Sequence, residues 1–114
     1  MRQRHPRLHS EVHLDFIRGL RCVICGDNTS VEAAHLRAGN RYYGKLSTGM
    51  GEKPDDKWAL PVCSKDHRRQ HSGNEIQFWS NEGINPWVLA LSLFAASGDH
   101  NLAEEVISQQ GQRR

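Results

Sequence analysis

The sequence predicts a small α+β domain in which two short strands and a following helix are held together by a metal ion. The chain has 114 residues, enough for one modest core, and domains of this size often need a metal for stability. Cys22 and Cys25 form a knuckle that a distant third cysteine, Cys63, can join as a metal ligand. Residues 31–72 read as strand, long loop, strand and helix. We expect one domain over residues 1–114.

Composition narrows the class of protein. Hydrophobic residues make up 37% of the chain and charged residues 25%, which favours a globular fold over a disordered one. The longest apolar run, residues 87–96, is too short to span a bilayer. The first arginines precede no apolar stretch, so we expect no signal peptide, no membrane partner and a cytoplasmic location. Three cysteines, two of them in Cys-x-x-Cys, favour a reduced metal site over disulfides.

Basic residues are grouped in three clusters. The formal net charge is only +2, so distribution matters more than the sum. The clusters flank the segments that carry histidine, and we expect them to contact phosphate. They are Arg2, Arg4 and Arg7; Arg37, Arg41 and Lys45; and Arg68 and Arg69.

Caps and periodicity place the remaining elements. Ser10 can cap a first helix that Gly19 ends, and Asn85 and Asp99 can cap two later helices before a polar tail that we expect to fray. Pro61 indicates that the second strand lies at the edge of a sheet or that Pro61 is at the end of the strand. The loop over residues 37–56 lacks periodicity, which is typical of functional or mobile segments. The predicted helices cover about residues 11–18, 64–72, 75–80 and 86–96, with a last one after residue 99, and the strands cover 31–36 and 58–62.

Two groups of aromatic residues have different expected roles. The core is expected to include Phe78, Trp79, Trp87, Leu91 and Phe94. In the loop, Tyr42 or Tyr43 could stack on a base or pack against the domain edge.

The three cysteines predict a structural zinc site. A second Cys-x-x-Cys would place its last cysteine at position 66, where the chain has Asp66 followed by His67. Zinc accepts either side chain, so the sequence leaves the fourth ligand open. The alternative is that Cys22, Cys25 and Cys63 are unliganded and fill the core. A bound zinc would tie the knuckle to the start of the following helix.

His67 and His71 are four residues apart, which on a helix places both rings on one face, able to hold one metal ion. An isolated pair of this spacing is more often two exposed histidines on a polar helix. Here the pair follows Cys63, and His35 ends the first strand. The combination is far more specific than any of its parts.

Several motifs occur in a fixed order along the chain. They are Cys22-x-x-Cys25, Ala34-His35, a Gly-rich loop, Leu60-Pro61-Val62-Cys63 and His67-x-x-x-His71. This order resembles the HNH endonuclease superfamily. Residues 33–37 and 49–56, which run into Leu60, are more closely similar to small phage-type HNH proteins, whose neighbourhood includes a nuclease that acts with a recombinase. The resemblance covers roughly residues 20–80 and implies a zinc-stapled ββα-metal (His-Me finger) core, with an N-terminal helix and two or three C-terminal helices over about residues 85–110.

The resemblance also implies roles for individual residues. His35 matches the general base, and His67 and His71 match the ligands of a catalytic divalent ion, which could be Mg²⁺, Mn²⁺, Ni²⁺ or Zn²⁺. Asp56, or its neighbour Asp55, stands near the middle position of the motif, which orients the base or the metal loop. The three cysteines match the structural zinc ligands of many members.

Two positions depart from the family pattern. Many members have an acidic residue or histidine before the base, where this chain has Ala34, and Asp66 replaces the usual zinc cysteine. The catalytic ion would then be held by the histidine pair, one of Asp55 and Asp56, and water. If His67 were recruited to zinc, the catalytic site would lose a ligand.

Together these features predict a metal-dependent endonuclease that hydrolyses phosphodiester bonds in nucleic acid, with DNA the first expectation. A neutral His35 would take a proton from water, and a divalent ion at the histidine pair would stabilise the transition state and the leaving oxygen. Binding through phosphates should fall with salt and show little sequence preference. The alternative is a catalytically inactive zinc-binding module that holds DNA or a protein partner in recombination or phage replication.

Overall fold

The computed structural model describes residues 7–48 and 53–112. Within these residues the chain forms a two-stranded sheet and five α-helices, joined by two 3₁₀ turns, so the predicted α+β class is confirmed. Arg2, Arg4 and the Gly-rich residues 49–52 lie outside the described residues. The elements are α1 (Glu11–Arg18), β1 (Val31–His35), a 3₁₀ turn (Arg41–Tyr43), a second 3₁₀ turn (Asp56–Trp58), β2 (Ala59–Cys63), α2 (Ser64–His71), α3 (Glu75–Asn81), α4 (Pro86–Ala95) and α5 (His100–Gln112).

Helix α1 begins and ends where its caps predict. The Ser10 hydroxyl accepts a hydrogen bond from the backbone N–H of His13 at 3.1 Å, and the N–H of Gly19 closes the last turn. Leu14 and Ile17 are buried and face the core. The caps thus fix the ends of α1, and its buried face packs on the core.

The two strands pair antiparallel. The register sets His35 opposite Ala59 and Val31 opposite Cys63. Each strand differs from its prediction at one end or both: β1 stops at His35, and β2 begins after Trp58, which closes a 3₁₀ turn. Every residue of β2 is buried. The sheet thus places His35, at the end of β1, beside the start of β2, and places the start of α2 beside the start of β1.

Pro61 lies in the middle of β2. A two-stranded sheet has only edge strands, so a residue without an N–H is tolerated there. The carbonyl of Pro61 accepts a hydrogen bond from the N–H of Val23 at 3.0 Å. This bond docks the Cys22–Cys25 knuckle on the outer edge of the sheet.

One hydrophobic cluster extends from α1 to α5. Trp79 of α3, Leu89 and Leu93 of α4, and Ile107 of α5 are buried in it. Of the other predicted core residues, Phe78, Trp87 and Leu91 pack at its margin, and Phe94 meets the ring of His13 edge-on.

Helix α5 continues to Gln112, so the polar segment expected to fray is helical up to that residue. Within the ranges that the structure describes, no helix has both the length and the apolar character needed to cross a bilayer.

The loop after β1 is more ordered than predicted. Asn40 and Lys45 form a β-bridge across the first 3₁₀ turn, and the N–H of Thr48 donates to the carbonyl of Arg37 at 3.0 Å. The loop therefore closes on itself beside the end of β1.

Candidate functional site

Four potential metal ligands meet where the knuckle, β2 and α2 join. Cys22 and Cys25 come from the knuckle, Cys63 ends β2 and Asp66 lies in the first turn of α2. Their ligand atoms all lie within 4.8 Å of one another, close enough to bind a metal ion. No other group of three or more such side chains is this close together in the part of the chain that the structure describes.

The distances within this Cys₃Asp group suit a tetrahedral ion. Zn–S bonds of about 2.3 Å and a Zn–O bond of about 2.1 Å give edges of about 3.8 Å between sulfurs and about 3.6 Å between sulfur and oxygen. The Cys25 and Cys63 sulfurs are 3.7 Å apart. Oδ2 of Asp66 lies 3.6 Å from the Cys22 sulfur and 3.3 Å from that of Cys63. The donor set and its spacing therefore fit zinc.

Asp66 is held in its charged form. Burial alone would raise the pKa of this carboxyl, but hydrogen bonds from Arg69, Cys63 and Cys25 and the charge of Arg69 outweigh it and lower the pKa. Nη1 of Arg69 donates to Oδ1 of Asp66 at 2.7 Å, which leaves Oδ2 facing the sulfurs. A charged, oriented carboxylate is what a metal ligand requires.

The pKa of Cys63 is shifted in the opposite direction to that of Asp66. Burial raises the pKa of its thiol to about 12. Since a metal binds the thiolate, binding at this group must displace that proton.

The position of His67 settles which residue stands beside the cysteines. Nδ1 of His67 lies 2.6 Å from Oε1 of Glu32 on β1, and the ring is not part of the Cys₃Asp group. Of the two candidates for the fourth ligand, Asp66 is the one in place.

The predicted catalytic histidines line a second site, a groove of about 420 Å³ that contains His35, His67 and His71. The ring centroids of His67 and His71 are 4.7 Å apart, with the ring planes tilted by 55°. Desolvation lowers the pKa of His71, and the neighbouring His67 lowers it further. The cations lining the groove are Arg7, Arg18, Arg37 and Lys53, and its carboxylate is Glu11.

His35 rests on a buried carboxylate. Its Nε2 lies 2.9 Å from Oδ1 of Asp56, whose side chain is completely buried. Arg7 donates from Nη2 to the same oxygen at 2.7 Å, and the N–H of Ser10 donates to Oδ2 at 2.7 Å. Burial would raise the pKa of Asp56, but the hydrogen bonds from His35 and Ser10 and the charge of Arg7 outweigh it and lower the pKa.

This contact sets the proton on the His35 ring. An ionised carboxylate only accepts hydrogen bonds, so Nε2 must carry the hydrogen that faces Asp56. In the neutral ring, Nδ1 is then the nitrogen with a lone pair. A neutral His35 could therefore accept a proton only at Nδ1.

Asp56 rather than Asp55 contacts the histidine. Asp55 instead accepts the N–H of Leu8 at 2.9 Å. Both oxygens of Asp56 are occupied by donors, and neither aspartate lies in a group of metal ligands within the described residues. The position supports the orienting role for Asp56 and not the metal-binding one.

The predicted phosphate-binding residues have varied surroundings. Arg37 lines the groove, and its backbone N–H donates to Glu75. Arg41 and Arg68 are exposed but do not line the groove.

Two of these residues have partners within the protein. Lys45 is buried, and its Nζ donates to the carbonyls of Arg37 and Leu46 at 3.0 Å. Its ammonium therefore holds the two sides of the loop together. Burial lowers the pKa of Lys45. Arg69 is held by Asp66, as described above, and its guanidinium also lies over the ring of Phe78.

The two tyrosines of the loop have different environments. Tyr43 stacks on Trp87, with ring centroids 6.3 Å apart, and its hydroxyl oxygen accepts from Asn85. Tyr42 is 86% exposed. Packing against the domain edge therefore describes Tyr43, and stacking on a base remains open only to Tyr42.

Sequence reasoning missed several residues of the site. Arg18 and Lys53 in the groove, Glu32 beside His67 and His9 near Asp56 carry no motif of their own. The basic residues before α1 were one signal, since Arg7 belongs to that cluster.

The chain belongs to the family described as Protein of unknown function (DUF968), which it matches over residues 1–97. No curated protein and no solved structure matches it. The match includes both candidate sites and ends before α5.

Proposed function

We propose that the chain is a metal-dependent endonuclease of the HNH type that hydrolyses phosphodiester bonds in DNA. The observation that carries this proposal is the groove in which His35, oriented by a buried carboxylate, shares one surface with the pair His67 and His71. An oriented base beside two imidazoles and several cations is the set of groups that phosphodiester hydrolysis needs.

His35 acts as the general base. With its ring neutral and Nδ1 unprotonated, His35 takes a proton from a water molecule that attacks phosphorus. The Asp56 carboxylate stabilises the imidazolium that results. Arg7 and the N–H of Ser10 hold Asp56 in place through this step. The fold thus orients His35 and Asp56 before substrate binds.

His67 and His71 would hold the catalytic divalent ion. Glu32 contacts Nδ1 of His67, the kind of outer partner that fixes a metal-binding imidazole with its other nitrogen outward. An ion held by these two imidazoles would supply Lewis-acid stabilisation of the charge that develops on the phosphate.

The groove cations would bind the substrate backbone. Arg37 and Lys53 line it beside the histidines, and phosphate contacts of this kind make affinity fall with salt. Arg18 lines the same groove and donates to Asp15 at 2.8 Å.

The Cys₃Asp group would hold a structural zinc ion. Four protein side chains are close enough to act as ligands, and a tetrahedral ion bound by all of them would have no open position for substrate. Zinc would join the knuckle to α2, the helix that carries the histidine pair. Such a thiolate site is stable in a reducing compartment, which fits a cytoplasmic protein.

A nicking assay tests the proposal. Purified protein is incubated with supercoiled plasmid, single-stranded DNA or RNA and with Mg²⁺, Mn²⁺, Ni²⁺ or EDTA. We expect metal-dependent cleavage of DNA that EDTA abolishes. Absence of cleavage of every substrate with every metal, by folded protein with zinc bound, would contradict the proposal.

One observation favours the second candidate, an inactive zinc-binding module that holds DNA or a recombination or phage protein. Ala34 precedes His35, and the described residues bring no third ligand to the histidine pair. Salt-sensitive DNA binding without cleavage would support the module.

A further inference from the structure

The segment before α1 brings a second imidazole to the carboxylate that holds His35. Nδ1 of His9 lies 2.9 Å from Oδ2 of Asp56, while His35 contacts Oδ1. Both histidines line the same groove. His9 lies outside the motifs that the sequence resemblance covers.

The segment is fixed at several points. Nε of Arg7 donates to the carbonyl of Pro54 at 2.9 Å, and the N–H of Leu8 donates to Asp55 at 2.9 Å. In return, the N–H of Asp56 donates to the carbonyl of Leu8 at 2.9 Å. On the other side of His9, the N–H of Ser10 donates to Oδ2 of Asp56 at 2.7 Å, so bonds before and after His9 in the chain hold it beside Asp56.

The two rings turn opposite nitrogens toward the Asp56 carboxylate. His35 uses Nε2 on the carboxylate and leaves the lone pair of Nδ1. His9 turns Nδ1 toward Asp56, with Nη1 of Arg7 3.3 Å away, and leaves Nε2 at 3.7 Å from Oε2 of Glu11. When Nδ1 accepts from Arg7, or when the ring is protonated, Nε2 carries a hydrogen.

We propose that His9 is a catalytic residue that donates the proton from Nε2 to the leaving 3′ oxygen, as the partner of His35. This inference rests on the proposed nuclease function. His35 takes a proton from the attacking water, the bond from water oxygen to phosphorus forms, and the bond from phosphorus to the 3′ oxygen breaks. The 3′ oxygen takes the proton from protonated His9, which becomes neutral with its remaining proton on Nδ1, facing Asp56.

Because His9 is exposed, it can be substituted with little effect on the fold. Its side chain is 54% exposed, and Ser10, not His9, caps α1, so substitution should leave the helix intact. His9→Gln keeps a polar side chain that cannot transfer a proton. His100→Gln is the matched control, since His100 is exposed on α5 and does not line the groove.

The experiment compares two oligonucleotides that differ at one linkage. In one the leaving 3′ oxygen is intact; in the other it is replaced by sulfur, which departs as thiolate without a proton. We expect His9→Gln to slow cleavage of the oxygen linkage by about 10²-fold or more and to leave the sulfur linkage near the wild-type rate, while His100→Gln changes neither.

Equal losses on both linkages would overturn the inference, because His9 would then serve binding or structure. An unchanged rate on the oxygen linkage would overturn it as well. If wild-type protein cleaves neither linkage, the nuclease proposal fails and the role of His9 falls with it.

Discussion

At the scale of single residues, the candidate site depends on the carboxylate of Asp56. It is completely buried, and it accepts hydrogen bonds from His35, Arg7 and the backbone of Ser10. A buried charge of this kind is tolerated only because its partners surround it. Because these partners keep Asp56 charged, the carboxylate fixes which nitrogen of a neutral His35 carries the hydrogen.

Asp56→Asn tests this role. The amide cannot stabilise protonated His35 or enforce its tautomer, so we expect cleavage to fall by about 10²-fold or more, with DNA binding retained. Asp55→Asn is the matched control, since the Asp55 side chain accepts from the exposed N–H of Leu8 and an amide oxygen can accept the same bond, so this variant should cleave near the wild-type rate. Equal activity of the two variants would contradict the role of Asp56.

His13 predicts a pH dependence of stability. Its ring is buried, with Nδ1 2.8 Å from the Ser97 hydroxyl. Burial lowers the pKa of His13 below its ordinary value of 6.5, although the charge of Asp56 opposes this. The unfolded chain then binds the proton more readily, so the stabilising contribution is complete above pH 6.5 and is lost as pH falls through the folded pKa.

We therefore expect the free energy of unfolding in urea to fall between pH 7.5 and pH 5, and to fall less for His13→Gln, which cannot titrate. Other histidines contribute equally to both proteins, so the difference between the two curves isolates His13. If the free energy of unfolding changed with pH in the same way for both proteins, the pKa of His13 would be the same in the folded and unfolded states.

Residue types with strong coordination chemistry were predictable, and residues defined by burial were not. The spacing of the three cysteines predicted a zinc site and left its fourth ligand open between Asp66 and His67; the closeness of the cysteines and Asp66 in space supports a metal site with Asp66. Lys45 was expected at phosphate and is buried instead, since its environment is created by a loop that closes over it. No local signal separates such a lysine from an exposed one.

At the scale of elements, α2 connects the two sites. Its first turn supplies Asp66 to the cysteines, and the following turns carry His67 and His71 into the groove. A metal that fixes the start of this helix therefore also fixes the histidine pair.

The loop after β1 gives a prediction of its own. A Cβ added at Gly39 would lie 2.5 Å from the backbone nitrogen of Ser47, so the two sides of the loop could not approach. We expect Gly39→Ala to lower the free energy of unfolding by about 1–3 kcal/mol. Gly73→Ala, where a Cβ meets nothing within 4 Å, serves as control, and equal urea midpoints for the two variants would contradict this account.

Caps made the helices predictable, whereas the loop was not. Ser10, Asn85 and Asp99 each accept a hydrogen bond from the first turn of the helix that follows. The bridge between Asn40 and Lys45 depends on contacts with the rest of the chain, which no periodicity records.

At the scale of the whole molecule, one hydrophobic core joins the helices and the sheet, and the Cys₃Asp group is placed where a metal ion would join the knuckle to α2. The core runs from Leu14 in α1 to Ile107 in α5, so α5 is part of it although the family match ends at residue 97. The order of motifs predicted how the strands and α2 follow one another. It could not predict that the segment before α1 reaches Asp56, because that contact joins residues 46 or more apart.

Metal removal should destabilise the whole protein. We expect a chelator to lower Tm by at least about 10 °C, which corresponds to roughly 2 kcal/mol. Asp66→Ala should lose bound zinc, and Asp66→Cys, which completes four thiolates, should retain it. Elemental analysis and thermal melts measure both. Purified protein that holds no metal and melts identically with chelator would refute the structural zinc site.

The central claim is that His35 is the catalytic base of a nuclease, and the most direct measurement is plasmid nicking by His35→Ala beside wild type, with bound zinc quantified in both. The account predicts metal-dependent nicking by wild type and a loss of about 10²-fold or more in the variant, at equal zinc content. Nicking at the same rate by both proteins, with the fold and zinc intact, would contradict it.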